Sequence, residues 1–119
     1  MTRFPEDLRE EIANSTSVEN ALRVLEHVLG GGYGVLPSGE LYFIRELVAR
    51  INGLSIYVYP KDHPPPHFHL RGGGIDASFT IHDCALLKGT VSPRHHSLIK
   101  WWHKSAHDLL HSTWTRLSG

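Results

Sequence analysis

The chain of 119 residues has a single cysteine, no excess of charge of either sign and no long apolar run. A single cysteine excludes an internal disulfide framework and a cysteine-rich zinc site. Lys and Arg together number 12, as do Asp and Glu, which excludes a nucleic-acid binder that relies on bulk positive charge. Neither a membrane-spanning segment nor the apolar core of a signal peptide is visible, so we expect a cytoplasmic protein with no membrane partner.

Histidine is the residue that the chain has in excess, with ten copies. Only His27 lies in the first 35 residues, and the other nine follow. The length fits a single globular unit. The shift in composition divides that unit into a helical N-terminal extension, residues 1–35, and an α+β domain, residues 36–119.

Two helices are predicted in the N-terminal extension. Proline and two acids at positions 5–7 favour the start of a short helix. Residues 16–19 fit a capping box with Thr16 as the cap, and apolar residues then recur with helical spacing over 18–29. The glycine-rich residues 30–34 are expected to form a flexible exit from this second helix.

A long last helix is predicted to begin with Ser92 as its cap and Pro93 as its first residue. Its apolar stripe includes Trp102, whereas Trp101 projects away from the stripe and is expected to be exposed.

Strands are predicted between these helices. Residues 40–51 fit a helix or a strand, but Asn52-Gly53 favours a hairpin with strands near 47–51 and 54–60. Further strands are predicted near residues 69–71, 75–81 and 86–91. The order α-α-β-β-β-β-α predicts an α+β fold, with N-terminal helices, a small antiparallel sheet of about four strands and a long C-terminal helix packed on it.

The densest group of chemically active side chains is residues 62–69, DHPPPHFH. If this segment is extended, His67 and His69 point to one side and Phe68 to the other. Three prolines stiffen the segment and lower the cost of ordering a site. Neutral imidazole suits a divalent transition metal, with zinc the first expectation, and a helix histidine could complete the set. The candidate metal ligands are Asp62, His63, His67, His69 and His103.

Histidines at 103, 107 and 111 are spaced so that they stack along one side of the last helix. Because histidine transfers protons near neutral pH, two of them could act as acid and base without any metal. The candidate catalytic residues are His63, His67, His69, His103 and His107. The same histidines could instead bind backbone carbonyls and have only a structural role.

Three segments together resemble a bacterial family of unknown function, DUF4160: residues 50–53 (RING), 56–59 (IYVY) and 62–69 (DHPPPHFH). The similarity spans about residues 46–114. In the most specific block it covers Asp62, His63, Pro65, Pro66, His67 and His69. This chain has an additional proline there and a longer N-terminal part. The resemblance implies a small bacterial protein, often encoded beside another small protein, and therefore a toxin–antitoxin or regulatory module.

The first hypothesis is a small bacterial toxin–antitoxin-type protein with a histidine-rich site that cleaves RNA by acid–base or metal-assisted chemistry. Its expected partners are a small cognate protein encoded nearby and RNA. A second copy of this chain, in a homodimer, is a further option. The alternative is a non-catalytic antitoxin or adaptor, whose N-terminal helices offer their apolar stripe to a protein partner. A metal-storing or metal-sensing domain is a third option.

Overall fold

The computed structural model describes residues 5–30, 32–43, 53–58 and 64–118. Three helices lie in this part of the chain: α1 (Pro5–Ala13), α2 (Val18–Leu29) and α3 (Pro93–Ser118). The strands described are β1 (Tyr33–Val35), β2 (Leu41–Phe43), β3 (Ser55–Tyr57), β4 (His67–Gly72), β5 (Ile75–Thr80) and β6 (Leu86–Thr90). None of the helices described has both the length and the apolar character needed to pass through a bilayer.

A four-stranded antiparallel sheet, in the order β3-β4-β5-β6, is the larger of the two sheets. β4 and β5 form its central hairpin, and the turn between them contains Gly73 and Gly74, both with positive φ. β3 lies inside the strand predicted at 54–60, while the strand predicted at 47–51 lies outside the described residues. The α+β prediction, with a sheet of about four strands and a long last helix, is confirmed.

A second, two-stranded sheet of β1 and β2 was not predicted. Residues 30–34 were expected to be a flexible exit, yet Tyr33 and Gly34 belong to β1. Gly34 pairs with Tyr42, whose ring occupies the space that a Cβ at Gly34 would need. Each strand has only three residues, which is too short to show a two-residue period in the sequence.

Helices α2 and α3 pack on one face of the four-stranded sheet, and α1 packs on both of these helices. The main core lies between the helices and the sheet. Phe68 and Phe79 are fully buried on that face, with their ring centroids 5.5 Å apart, and Phe68 packs on Trp102 of α3 at 6.0 Å. The Trp102 indole donates a hydrogen bond of 2.7 Å to the carbonyl oxygen of Ala21 in α2. This bond joins the N-terminal helices to α3 inside one core.

The caps of the two longer helices agree only partly with expectation. At α3, the Ser92 hydroxyl accepts the His95 N–H at 3.0 Å, which confirms Ser92 as the cap. At α2, the cap is Ser17 and not Thr16, because the Ser17 hydroxyl accepts the N–H of Asn20 at 3.2 Å. The helix therefore begins one residue later than a capping box on Thr16 requires.

Trp101 was expected to be exposed, and this is wrong: only 4% of it is accessible. A cleft beside it is lined by Arg9 of α1, by residues 38–40 between β1 and β2, and by Lys104 of α3. Helix α3 therefore has covered surface on a second side, where α1 and the β1–β2 turn approach it. A single apolar stripe could not indicate that second contact.

Candidate functional site

Strand β4 separates its side chains onto two faces of the sheet. Phe68 and Leu70 are fully buried in the core beneath the helices. His67 and His69 alternate with them and lie on the opposite face, because successive side chains of a strand point to opposite sides. Their ring centroids are 5.0 Å apart in an edge-on arrangement. The expectation that His67 and His69 share one side, with Phe68 on the other, is confirmed.

His67 is held in one orientation and one tautomer. Its Nδ1 donates a hydrogen bond of 2.7 Å to the carbonyl oxygen of Pro65, which can only accept. In the neutral ring the lone pair therefore belongs to Nε2. The indole of Trp114, from α3, lies 5.4 Å from the imidazole, and His67 is only 7% exposed. Proline stiffness and this hydrogen bond together fix the ring before any ligand binds.

Polar side chains continue from His69 across the sheet. In the strand register Tyr57 lies opposite His69, His69 opposite Ser78, and Ser78 opposite Lys88. Directly opposite residues share a face, so these four form one row that crosses all four strands. Adjacent strands are about 4.8 Å apart, which places the backbone at Lys88 about 10 Å from that at His69. The row brings a cation to the face that carries the histidine pair.

Two candidate residues, Asp62 and His63, lie outside the described residues. Within the ranges that the structure does describe, no three or more His, Cys, Asp or Glu side chains are grouped closely enough to hold a metal ion. Of the expected ligands, the structure describes His67, His69 and His103.

His103 lies on the other side of the sheet from that pair. Its ring stacks on Phe68 with centroids 6.3 Å apart, and its Nε2 donates to the Ile81 carbonyl oxygen at 2.5 Å. Burial lowers the pKa of His103, although the hydrogen bond to Ile81 opposes this effect. The structure thus brings His103 to the turn after β5 and not to His67 and His69.

His103, His107 and His111 form a histidine ladder along one side of α3, and its members become progressively more exposed toward the C-terminus. His107 is half-buried, with its ring edge-on to His103 at 5.5 Å. His111 is exposed, with its ring nearly parallel to that of His107 at 6.2 Å. The stacked ladder predicted from the spacing is present, and contacts between its rings link all three members.

Sequence reasoning missed three residues near the histidine pair: Trp114 of α3, whose ring contacts His67, and Ser78 and Lys88, which continue the row from His69. Trp114 is placed at the margin of the apolar stripe of α3 by helical spacing, but nothing local indicates that it meets β4. Ser78 and Lys88 could be assigned to this face only once the strand register is known. A bulge between Ser78 and Phe79 shifts that register, so a strict two-residue period is misleading there.

The described residues thus form a small α+β domain, in which helices pack on one face of a four-stranded sheet and the polar row from Tyr57 to Lys88 lies on the other. The chain belongs to the family described as Domain of unknown function (DUF4160), whose family model matches residues 53–115. The match begins two residues before β3 and ends three residues before the end of α3. It includes His67, His69 and Trp114. Searches of curated proteins and of solved structures found no match.

Proposed function

We propose that the histidine pair of β4 is a catalytic site for cleavage of a phosphodiester in RNA, in a toxin–antitoxin-type protein. The observation that carries the proposal is the fixed His67 imidazole, which has its lone pair on Nε2 and a second imidazole 5.0 Å away. Two neighbouring imidazoles can serve as the base and the acid of one reaction near neutral pH.

The reaction that fits this pair is attack of a ribose 2′-hydroxyl on the adjacent phosphorus. Nε2 of His67 takes the hydroxyl proton as the new P–O bond forms. Protonated His69 gives its proton to the departing 5′-oxygen as the old P–O bond breaks. The products are a 2′,3′-cyclic phosphate and a free 5′-hydroxyl, and the two histidines have exchanged protonation states.

Other side chains on the polar face suit such a substrate. Lys88 supplies a positive charge for a phosphate, since the other cation in the described strands of this sheet, Arg71, pairs with Asp76 at 3.3 Å. The half-buried indole of Trp114 offers a surface on which an unpaired base could stack beside His67. These local groups suit a chain with no net charge, because they do not depend on a broad basic surface.

The alternative of an adaptor that binds through its N-terminal helices has less support. Val18 packs against this chain's own core, and the apolar side chains of α2 after it are all buried there: Ala21, Leu22, Val24, Leu25, Val28 and Leu29. They are therefore not available to a partner, and a partner would have to use the exposed polar side of these helices.

The proposal is tested with untagged protein and a labelled single-stranded RNA, with growth inhibition on expression as a second readout. Changing His67→Ala or His69→Ala should each lower the cleavage rate about 100-fold or more, the usual contribution of a general acid or base. His82→Ala is the matched control, because His82 is exposed in the turn after β5 and should leave the rate unchanged. Circular dichroism checks that each variant is folded.

A chelator distinguishes acid–base cleavage from metal-assisted cleavage. Cleavage that survives EDTA supports the acid–base reaction, whereas cleavage that EDTA abolishes and Zn²⁺ restores means that the pair works through a bound metal. Cleavage at the parental rate by folded His67→Ala/His69→Ala protein would exclude the pair as the catalytic site. No cleavage and no growth inhibition by the parental protein would exclude the RNA-cleaving function itself.

A further inference from the structure

A second histidine pair lies on α3 and not on β4, which carries the proposed catalytic pair. His107 and His111 are one helical turn apart, which brings their Cβ atoms to about 5–6 Å. Their rings are within 14° of parallel, with centroids 6.2 Å apart. His111 is exposed and His107 half-buried, so solvent reaches the space between them.

Asp108 orients the less mobile of the two rings. Its Oδ1 accepts a hydrogen bond of 3.1 Å from Nδ1 of His107. With the proton on Nδ1, the lone pair of the neutral ring belongs to Nε2. A histidine that ligates a metal usually donates its other N–H to a carboxylate or a carbonyl in this way. The edge-on contact with His103 restricts the same ring from the opposite side.

The sequence of this turn, His-Asp-Leu-Leu-His, has the spacing by which two histidines on one helical face bind a single ion. Each imidazole nitrogen needs to come within about 2.0–2.1 Å of that ion. The ring of His111, being exposed, can tilt about its side-chain torsions toward Nε2 of His107. Water would supply the remaining ligands, since two protein ligands leave the ion open to solvent.

We propose that His107 and His111 chelate a divalent transition metal ion, of the Zn²⁺ or Cu²⁺ class, and that Asp108 is the positioning carboxylate for His107. This site is separate from the β4 pair and goes beyond the proposed RNA cleavage, because it neither contains nor requires His67 or His69. A bound ion ties two successive turns of α3 together and thereby stabilises the C-terminal half of that helix.

The test uses full-length untagged protein and titrates Zn²⁺ alone by calorimetry near pH 7.5, where imidazole is mostly neutral. His107→Ala and His111→Ala should each abolish binding at this site. Asp108→Asn should weaken it by about 10–100-fold, the usual effect of losing a carboxylate behind a ligating histidine. His82→Ala is the matched control, because His82 is also followed by an aspartate, Asp83, but lies in a turn with no histidine one helical turn away.

A second readout locates the ion without relying on affinity. Substoichiometric Cu²⁺ should broaden the ring proton resonances of His107 and His111 before those of His67 and His69. Unchanged Zn²⁺ affinity in folded His111→Ala protein would overturn the proposal. So would loss of Zn²⁺ binding in His67→Ala/His69→Ala protein with retention in His111→Ala protein, an outcome that would instead place the metal at the β4 pair.

Discussion

Cys84 is a buried thiol whose surroundings suppress its reactivity. Only 1% of the residue is exposed, and its backbone has a positive φ of 59°. The carbonyl oxygen of Cys84 accepts a hydrogen bond of 3.0 Å from Nε2 of His96, so the turn is fastened to α3. Burial raises the pKa of the thiol from 9.0 to about 12, with Asp83 adding to the effect and Lys100 opposing it.

The predicted consequence is that Cys84 does not react while the protein is folded. A pKa of about 12 in place of 9.0 lowers the thiolate fraction about 1,000-fold, and the thiolate is the nucleophile. A chromogenic disulfide reagent near pH 8 should therefore release colour about 1,000-fold more slowly from native protein than from protein in urea. Equal rates in the two conditions would mean that the turn at 81–85 opens readily.

At the level of single residues, the sequence predicts correctly that His67 and His69 share one side of their strand. It does not predict which other side chains lie near them. The spacing of His67 and His69 fixes their shared side because a strand has a two-residue period. His103 was expected to join them, but it faces Phe68 on the other side of the sheet. Spacing within a helix shows which of its residues lie together, and it carries no information on which face of a sheet that helix covers.

Two glycines of the four-stranded sheet have nearly the same φ angle and different surroundings. Gly89 in β6 has φ of 84°, and a Cβ there would collide with the carbonyl oxygen of Asp76 in β5. Gly74, in the turn between β4 and β5, has φ of 82°, and a Cβ there would meet nothing within 4 Å. Substituting these two glycines therefore distinguishes two losses of stability. One is due to a positive φ alone, and the other is due to a positive φ together with a steric clash of the added Cβ.

Gly74→Ala should lower the free energy of unfolding by about 1–2 kcal/mol, the cost of a left-handed conformation for a residue with a Cβ. Gly89→Ala should cost more than this, because β6 must also shift away from Asp76. Urea denaturation of both variants measures the difference. Equal losses of stability would show that β6 moves aside freely and that the close approach is not a constraint.

The elements with local signals were predicted well. Ser92 and Pro93 mark the start of α3, and the glycines after β4 mark its turn, as the structure confirms. The β1–β2 hairpin was missed because its strands are three residues long and one contains a glycine, although Pro37-Ser38-Gly39 between them is a turn signal. Trp101 was misplaced because α1 and the β1–β2 turn cover it, and both lie far from it in sequence.

At the level of the whole molecule, the sheet and α3 depend on the N-terminal helices. The family match covers residues 53–115, yet the core includes Leu8, Ile12 and Leu25 of α1 and α2. Removing these helices would expose Trp102 and break its hydrogen bond to Ala21. The histidine row would then lie on a sheet whose opposite face is only partly covered.

Deletion of residues 1–29 should therefore abolish cooperative unfolding and the near-ultraviolet circular dichroism of the buried tryptophans. Replacing Leu25 by alanine in the full chain should already cost about 2–5 kcal/mol of stability, as is usual for a fully buried leucine. Arg23→Ala, on the exposed side of α2, is the control and should change stability by less than about 0.5 kcal/mol. A truncated chain that still melts cooperatively would show that the sheet and α3 fold alone.

All three tryptophans of the chain belong to α3, and they differ in what surrounds them. Trp101 and Trp102 are buried, whereas Trp114 is half-buried beside the imidazole of His67. A protonated imidazole quenches indole emission, so the ultraviolet fluorescence of Trp114 responds to events at the β4 pair while the two buried indoles give a steady background. The protein thus contains its own optical probe, through which ligand binding beside His67 can be followed without any label.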